Sequence, residues 1–136
     1  MEPEDFKRLT QQRVLMAPIT DRGGRPVGPH PVVILVPPAT NNPEATLEVA
    51  CGSRDTPVAG NTGFAIRAAG SRGPAGQPHP RTGLLFNTWF YAGWLRTIRL
   101  SEVVKLCRFV APYDYAELLR MIRELQALDA APPESP

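Results

Sequence analysis

Five aliphatic residues in a row, Val32-Val33-Ile34-Leu35-Val36, are entered through Gly28-Pro29-His30-Pro31 and stopped by Pro37-Pro38. A β-branched run bounded in this way reads as a strand buried on both faces. Whatever occupies the loop before such a strand is held at one edge of a small β-fold. His30, with Arg22 and Arg25 close to it in sequence, stands at that mouth and is the first candidate for chemistry.

The chain has 136 residues, enough for one domain with a real core and too few for two. Its 16 Pro and 11 Gly are more punctuation than a helical bundle tolerates, so short strands and many turns are expected. The balance of 15 Lys and Arg against 13 Asp and Glu is too even to imply a nucleic-acid partner by itself. Its distribution is more informative. Between Ser53 and Gly83 the sole acid is Asp55, against Arg54, Arg67, Arg72 and Arg81, with His79 able to join them. A surface of this kind attracts a polyanion with an affinity that falls as salt rises. Loops that carry Arg only for solubility give the same pattern.

Cys51 and Cys107 have no metal-like spacing and are expected to be buried free thiols in a reducing compartment. The acidic start Met1-Glu2-Pro3-Glu4-Asp5 is unlike a signal peptide, and no apolar run has the length to cross a bilayer, so a cytoplasmic location away from membranes is expected. A P-loop, a dinucleotide fingerprint and zinc-ligand spacing are all lacking.

Along the chain, Pro3 to Gln11 reads as a short helix within an N-terminal arm of residues 1–12. Strands are expected at Arg13–Ile19, Pro31–Val36 and Thr46–Cys51, with a fragment at Phe64–Ile66 and further pairing at Leu84–Tyr91 and Trp94–Leu100. Ala69 to Gly83 reads as a mobile Gly-, Pro- and Arg-rich loop, and Ser101 to Leu106 as a short helix. Asp114 and Glu117 have capping-box spacing, and Leu118, Met121, Ile122, Leu125 and Leu128 fall on one helical face. The tail, residues 130–136, is expected to fray. These elements give a mainly β chain with helices: a strongly bent antiparallel sheet with a C-terminal helix, the layout of an SH3-like barrel over residues 13–129.

The order of features resembles the MazF/PemK family of toxin endoribonucleases, SH3-like barrels that commonly dimerise. The resemblance is carried by Arg22-Gly23-Gly24-Arg25-Pro26-Val27-Gly28-Pro29-His30-Pro31-Val32-Val33-Ile34-Leu35, by Leu47-Glu48-Val49-Ala50-Cys51-Gly52-Ser53, and by the Arg96-Thr97 pair within Trp94 to Val104, followed by the closing helix. The family's basic residue before the strand Pro is Arg where this chain has His30, and its hydroxyl partner is Thr where this chain has Ser53. The stretch from about Asn61 to Gly83 exceeds a compact member. The resemblance implies cleavage of single-stranded RNA without metal or cofactor, a homodimer, and an antitoxin protein as partner. It places catalysis at His30, Ser53 and Arg25, with Arg22 and Arg54 beside them to bind RNA, and the cationic stretch between Ser53 and Gly83 adds Arg67, Arg72 and Arg81 as candidate RNA-binding residues.

Such cleavage needs a base for the 2′-hydroxyl proton, an acid for the departing 5′-oxygen, and donors for the charge on phosphorus. An imidazole titrating near ~6.5 serves as acid or base, a serine hydroxyl donates to phosphate, and Arg22, Arg25 or Arg54 pairs with it bidentately. Plainer roles compete: His30 as a turn residue between prolines, Ser53 as a turn cap, and Trp89, Phe90, Tyr91 and Trp94 as core or dimer contacts rather than base-stacking rings. The alternative function is a non-catalytic SH3-like binding module, acting on a protein target or as a phage or plasmid accessory factor, with residues 69–83 as its contact surface.

Overall fold

The computed structural model describes residues 1–55, 57, 64–71 and 77–130. A short helix α1 (Pro3–Phe6) precedes six strands: β1 (Arg13–Thr20), β2 (Pro26–Val36), β3 (Thr46–Ser53), β4 (Ala65–Ala68), β5 (Thr88–Arg99) and β6 (Lys105–Phe109). A 3₁₀ turn at Leu100–Glu102 separates β5 from β6, and helix α2 (Pro112–Ala130) closes the chain. The strands form one antiparallel sheet in the order β4-β5-β3-β2-β1-β6, a curled half-barrel with a C-terminal helix.

Alternation along the strands puts one apolar cluster on each face. Leu15, Val32, Ile34, Leu47, Val49 and Ile98 belong to the first, with Phe6 and Leu9 from the N-terminal arm. Val14, Val33, Phe90 and Leu84 belong to the second, with Tyr115, Leu118 and Ile122 of α2. Of the run Val32 to Val36, expected to be buried on both faces, Val32, Val33 and Ile34 are fully buried, Leu35 is half-buried and Val36 at the strand's end is 48% exposed. Pro112 and Asp114 suit the first turn of α2, and the buried stripe Tyr115, Leu118, Ile122 has helical spacing. The Tyr115 hydroxyl donates to the Ile34 carbonyl at 2.9 Å, tying helix to sheet. Leu128, expected on the same face, is 67% exposed.

Several expected boundaries shift. The first helix ends at Phe6 rather than Gln11, and turns carry the chain to Gln12, whose φ is 79°. Strand β2 begins at Pro26, so His30 lies within a strand and not in a loop before it. The prolines are tolerated because residues 26–31 pair with β1 alone, and β3 joins only from Val32 onward. The two expected segments Leu84–Tyr91 and Trp94–Leu100 differ too: a single strand starts at Thr88 and runs through Gly93. Opposite the step from Ala50 to Gly52, β5 runs from Leu95 back to Phe90, and this irregularity bends the sheet. The helix expected at Ser101–Leu106 is the 3₁₀ turn followed by the edge strand β6.

Residues 79–84 bridge the two sheet edges. Arg108 and Phe109 of β6 donate backbone N–H groups to the Thr82 and Arg81 carbonyls at 2.9 and 3.1 Å, while Ser71, beyond β4, donates to the Leu84 carbonyl at 3.1 Å. Thr82 is buried, and its hydroxyl donates to the Ala69 carbonyl at 2.7 Å. The mobile loop expected through Gly83 thus has a pinned C-terminal part.

Candidate active site

The β1–β2 turn is built by Asp21, whose carboxylate accepts the N–H groups of Gly23 and Arg25 at 2.9 Å each. Gly24 takes a positive φ of 84°, a conformation that glycine adopts without a Cβ penalty. Arg96 of β5 clamps the base of this turn: Nε donates to the Thr20 hydroxyl at 2.8 Å and Nη2 to the Asp21 carbonyl at 2.6 Å. Trp94 Nε1 donates to the Thr20 carbonyl at 3.0 Å. The hairpin carrying His30 is thereby fixed to the middle of the sheet.

His30 lies opposite Ala17 in the β1–β2 ladder, with its ring edge-on to Trp94 at 6.0 Å between centroids. Its Nδ1 is 2.8 Å from the Gly28 carbonyl oxygen. A carbonyl only accepts, so Nδ1 carries the proton in this bond, and Nε2 is the nitrogen left to take one up.

His30, Ser53 and Arg54 line one cavity of about 520 Å³, together with Lys105, Leu85 and Phe86. His30 comes from β2, Ser53 from β3 and Lys105 from the edge strand β6, and the others from connecting segments. Ser53 ends β3, and its Oγ accepts the Asp55 N–H at 3.1 Å. The turn-capping role is real and leaves the hydroxyl proton free to be donated elsewhere. The Arg54 guanidinium lies over the Phe86 ring at 5.1 Å. Lys105 pairs with Met16, which pairs in turn with Pro31, so this row lies on the sheet face of Val33 and Cys107, whereas His30 alternates to the face of Ala17 and Trp94.

The remaining candidate residues fall elsewhere. Arg25 is exposed in the hairpin and does not line the cavity. Arg22 lies over Tyr91 at 4.5 Å and approaches Trp94 at 6.0 Å, beside a separate cleft with Phe64 and Leu125. Arg67 is exposed on β4, in one cross-strand row with Trp89 and Ser53. Arg81 lines a different cleft with His79 and Phe109. Arg72 lies outside the described residues. Phe90, Tyr91 and Trp94 are buried, which makes them core residues, whereas Trp89 is half-buried.

Among solved structures, this fold is similar to that of an endoribonuclease. That protein, from mycobacterial species, was solved in complex with its cognate antitoxin; the likeness covers 90% of this chain and 97% of that one, at a TM-score of 0.55 and 18% sequence identity. Neither a protein-family model nor a curated protein matches the sequence. The shared architecture is the curled sheet with its closing helix.

Lys105, Leu85 and Phe86 escaped the sequence reading. Lys105 was hidden by assigning its segment to a helix, since only a strand gives it the face of Cys107. Leu85 and Phe86 had been placed inside a strand, where apolar residues need no further explanation. Electrostatically the cavity carries Arg54 and Lys105 against Asp55. Both cysteines are free and buried, and burial pushes the Cys51 thiol up to about 12, with the nearby Arg96 opposing. Neither thiol is poised as a nucleophile. Among the described residues no group of three or more His, Cys, Asp or Glu is arranged to hold a metal. No helix among them is long and apolar enough to cross a membrane.

Proposed function

We propose that this chain is a toxin-type endoribonuclease that cleaves single-stranded RNA without a metal, at the cavity shared by His30 and Ser53. The observation that carries the reading is that His30 and Ser53, from two different strands, line one cavity with Arg54 and Lys105. Its support is the likeness to a fold already seen in an endoribonuclease bound to its antitoxin.

In this reading His30 Nε2 takes the proton of a ribose 2′-hydroxyl, and the 2′-oxygen attacks the adjacent phosphorus. Ser53 and Arg54 donate to the non-bridging oxygens as charge builds there. The bond to the 5′-oxygen breaks, and that oxygen takes a proton from water at the open mouth. The products are a 2′,3′-cyclic phosphate and a 5′-hydroxyl end. The protein acts as a homodimer and is restrained by a cognate antitoxin protein.

Purified protein is expected to cut single-stranded RNA in the presence of EDTA. A substrate with 2′-deoxyribose at the cut position is expected to stay intact, because the nucleophile is missing. RNA that survives a large excess of folded protein would falsify the nuclease reading and favour the binding module.

A further inference from the structure

Phe86 presents an aromatic ring that is 56% exposed at the rim of the cavity holding His30 and Ser53, next to Leu85 at 44% exposure. Leaving two large apolar side chains in water is unfavourable. Their backbone is nonetheless held firmly. Gly70 packs so close that a Cβ there would meet the Phe86 carbonyl carbon at 1.9 Å, and the Gly70 N–H donates to Asn87 Oδ1 at 2.9 Å. The Thr88 hydroxyl donates to the Phe86 carbonyl at 3.0 Å, and Leu84 is buried. The main chain on both sides of Phe86 is fixed, and the ring projects from it more than half exposed.

From this arrangement we infer that Phe86 is a stacking platform for the nucleobase next to the scissile phosphodiester, with Arg54 binding the phosphate beside it. The inference rests on the nuclease reading for its substrate class. One face of the ring carries the Arg54 guanidinium at 5.1 Å, and a base laid on the open face gives a base–phenyl–guanidinium stack. Charge selects this occupant over an apolar one: Arg54 and Lys105 line the same cavity, and a nucleotide combines the flat π-face and the anion that ring and cations call for. Because the platform is pinned before binding, little ordering cost offsets the stacking gain.

The test uses the full-length protein and a fluorescent single-stranded RNA whose 2′-oxygens are all methylated, which binds but cannot be cut. Phe86→Ala is expected to weaken its affinity about 5- to 100-fold, in line with the known cost of losing one base–aromatic stack. Phe86→Trp is expected to stay within about twofold of the parent, since it keeps a π-face. The Phe86→Ala loss should persist at all salt concentrations, whereas Lys105→Ala should make the salt dependence shallower by about one charge. Unchanged affinity in Phe86→Ala overturns the platform even if RNA cleavage is intact. Loss of affinity accompanied by dissociation of a dimer in sedimentation also overturns it, and assigns the ring to a second copy. Phe86-dependent binding by a protein that never cuts RNA keeps the platform and removes the nuclease reading. No binding of the methylated strand at any salt removes the platform.

Discussion

Strand β2 has two halves that live under different rules. At Val32 and Val33 it is paired with β1 on one side and β3 on the other, Ile34 continues the pairing with β3, and these three side chains fill both apolar clusters. From Pro26 to Pro31 it is bonded by β1 alone, carries three prolines and is mostly exposed. The doubly bonded half supplies stability, because each fully buried aliphatic side chain contributes about 1.5–3 kcal/mol. The singly bonded half has an open side, where an imidazole can meet a ligand while its backbone continues a rigid strand. The candidate chemistry sits where the ladder is incomplete, one register step from the densest part of the core.

That contrast can be broken from either end. In the open half, His30→Ala is expected to reduce RNA cleavage about 10²- to 10⁴-fold, the range for losing a general base, without moving the unfolding midpoint. In the closed half, Ile34→Ala is expected to lower stability by about 2–5 kcal/mol in urea titrations while cleavage per folded molecule is retained. If the His30 variant unfolds early, or the Ile34 variant loses cleavage while folded, the division of labour along β2 is wrong. Gly70→Ala probes the wall opposite. A Cβ there collides with the Phe86 backbone, so a destabilisation of about 1–3 kcal/mol is expected, together with weaker binding of the methylated RNA. Arg96→Lys keeps the charge but loses the planar fork that grips Thr20 and Asp21, and a cost of about 1–3 kcal/mol is expected.

The closed half was the legible one. Its aliphatic run, the strand at Thr46–Cys51 and the apolar stripe of α2 are local patterns, and each became an element of the expected type, with Val36 and Leu128 at the ends left exposed. The open half was misread because Pro26 and Gly28-Pro29 look like loop residues until one knows that only a single neighbour pairs with them. The same limit applies to β5, where Gly93 reads as a break but lies in a bend, and to β6, whose strand character depends on pairing with β1. Sequence proximity grouped Arg22 and Arg25 with His30, yet the hairpin carries them away from the cavity. Lys105 and Phe86 reach it through the closure of the half-barrel, a long-range contact that no local spacing encodes. His30, Ser53 and Arg54 were singled out by the chemistry of their side chains, and the fold brings all three to the lining of one cavity.

The smallest expected effect lies at the join between the two halves, where Cys51 pairs with Val32. Burial raises this thiol from its ordinary 9.0 to about 12, so below pH 9 it is protonated in both folded and unfolded chains and leaves stability unchanged. Between 9 and about 12 the unfolded chain has released the proton and the folded chain still holds it. Stability must then fall as pH rises, because the folded state binds more protons. Urea midpoints taken at pH 8 and pH 10.5 should differ less for Cys51→Ala than for the parent. Part of the slope should survive in the variant, since burial also raises Cys107, Tyr91 and Tyr115. A variant with the parent's full alkaline slope would mean that Cys51 is open to water, and that the closed half of the strand ends before the join.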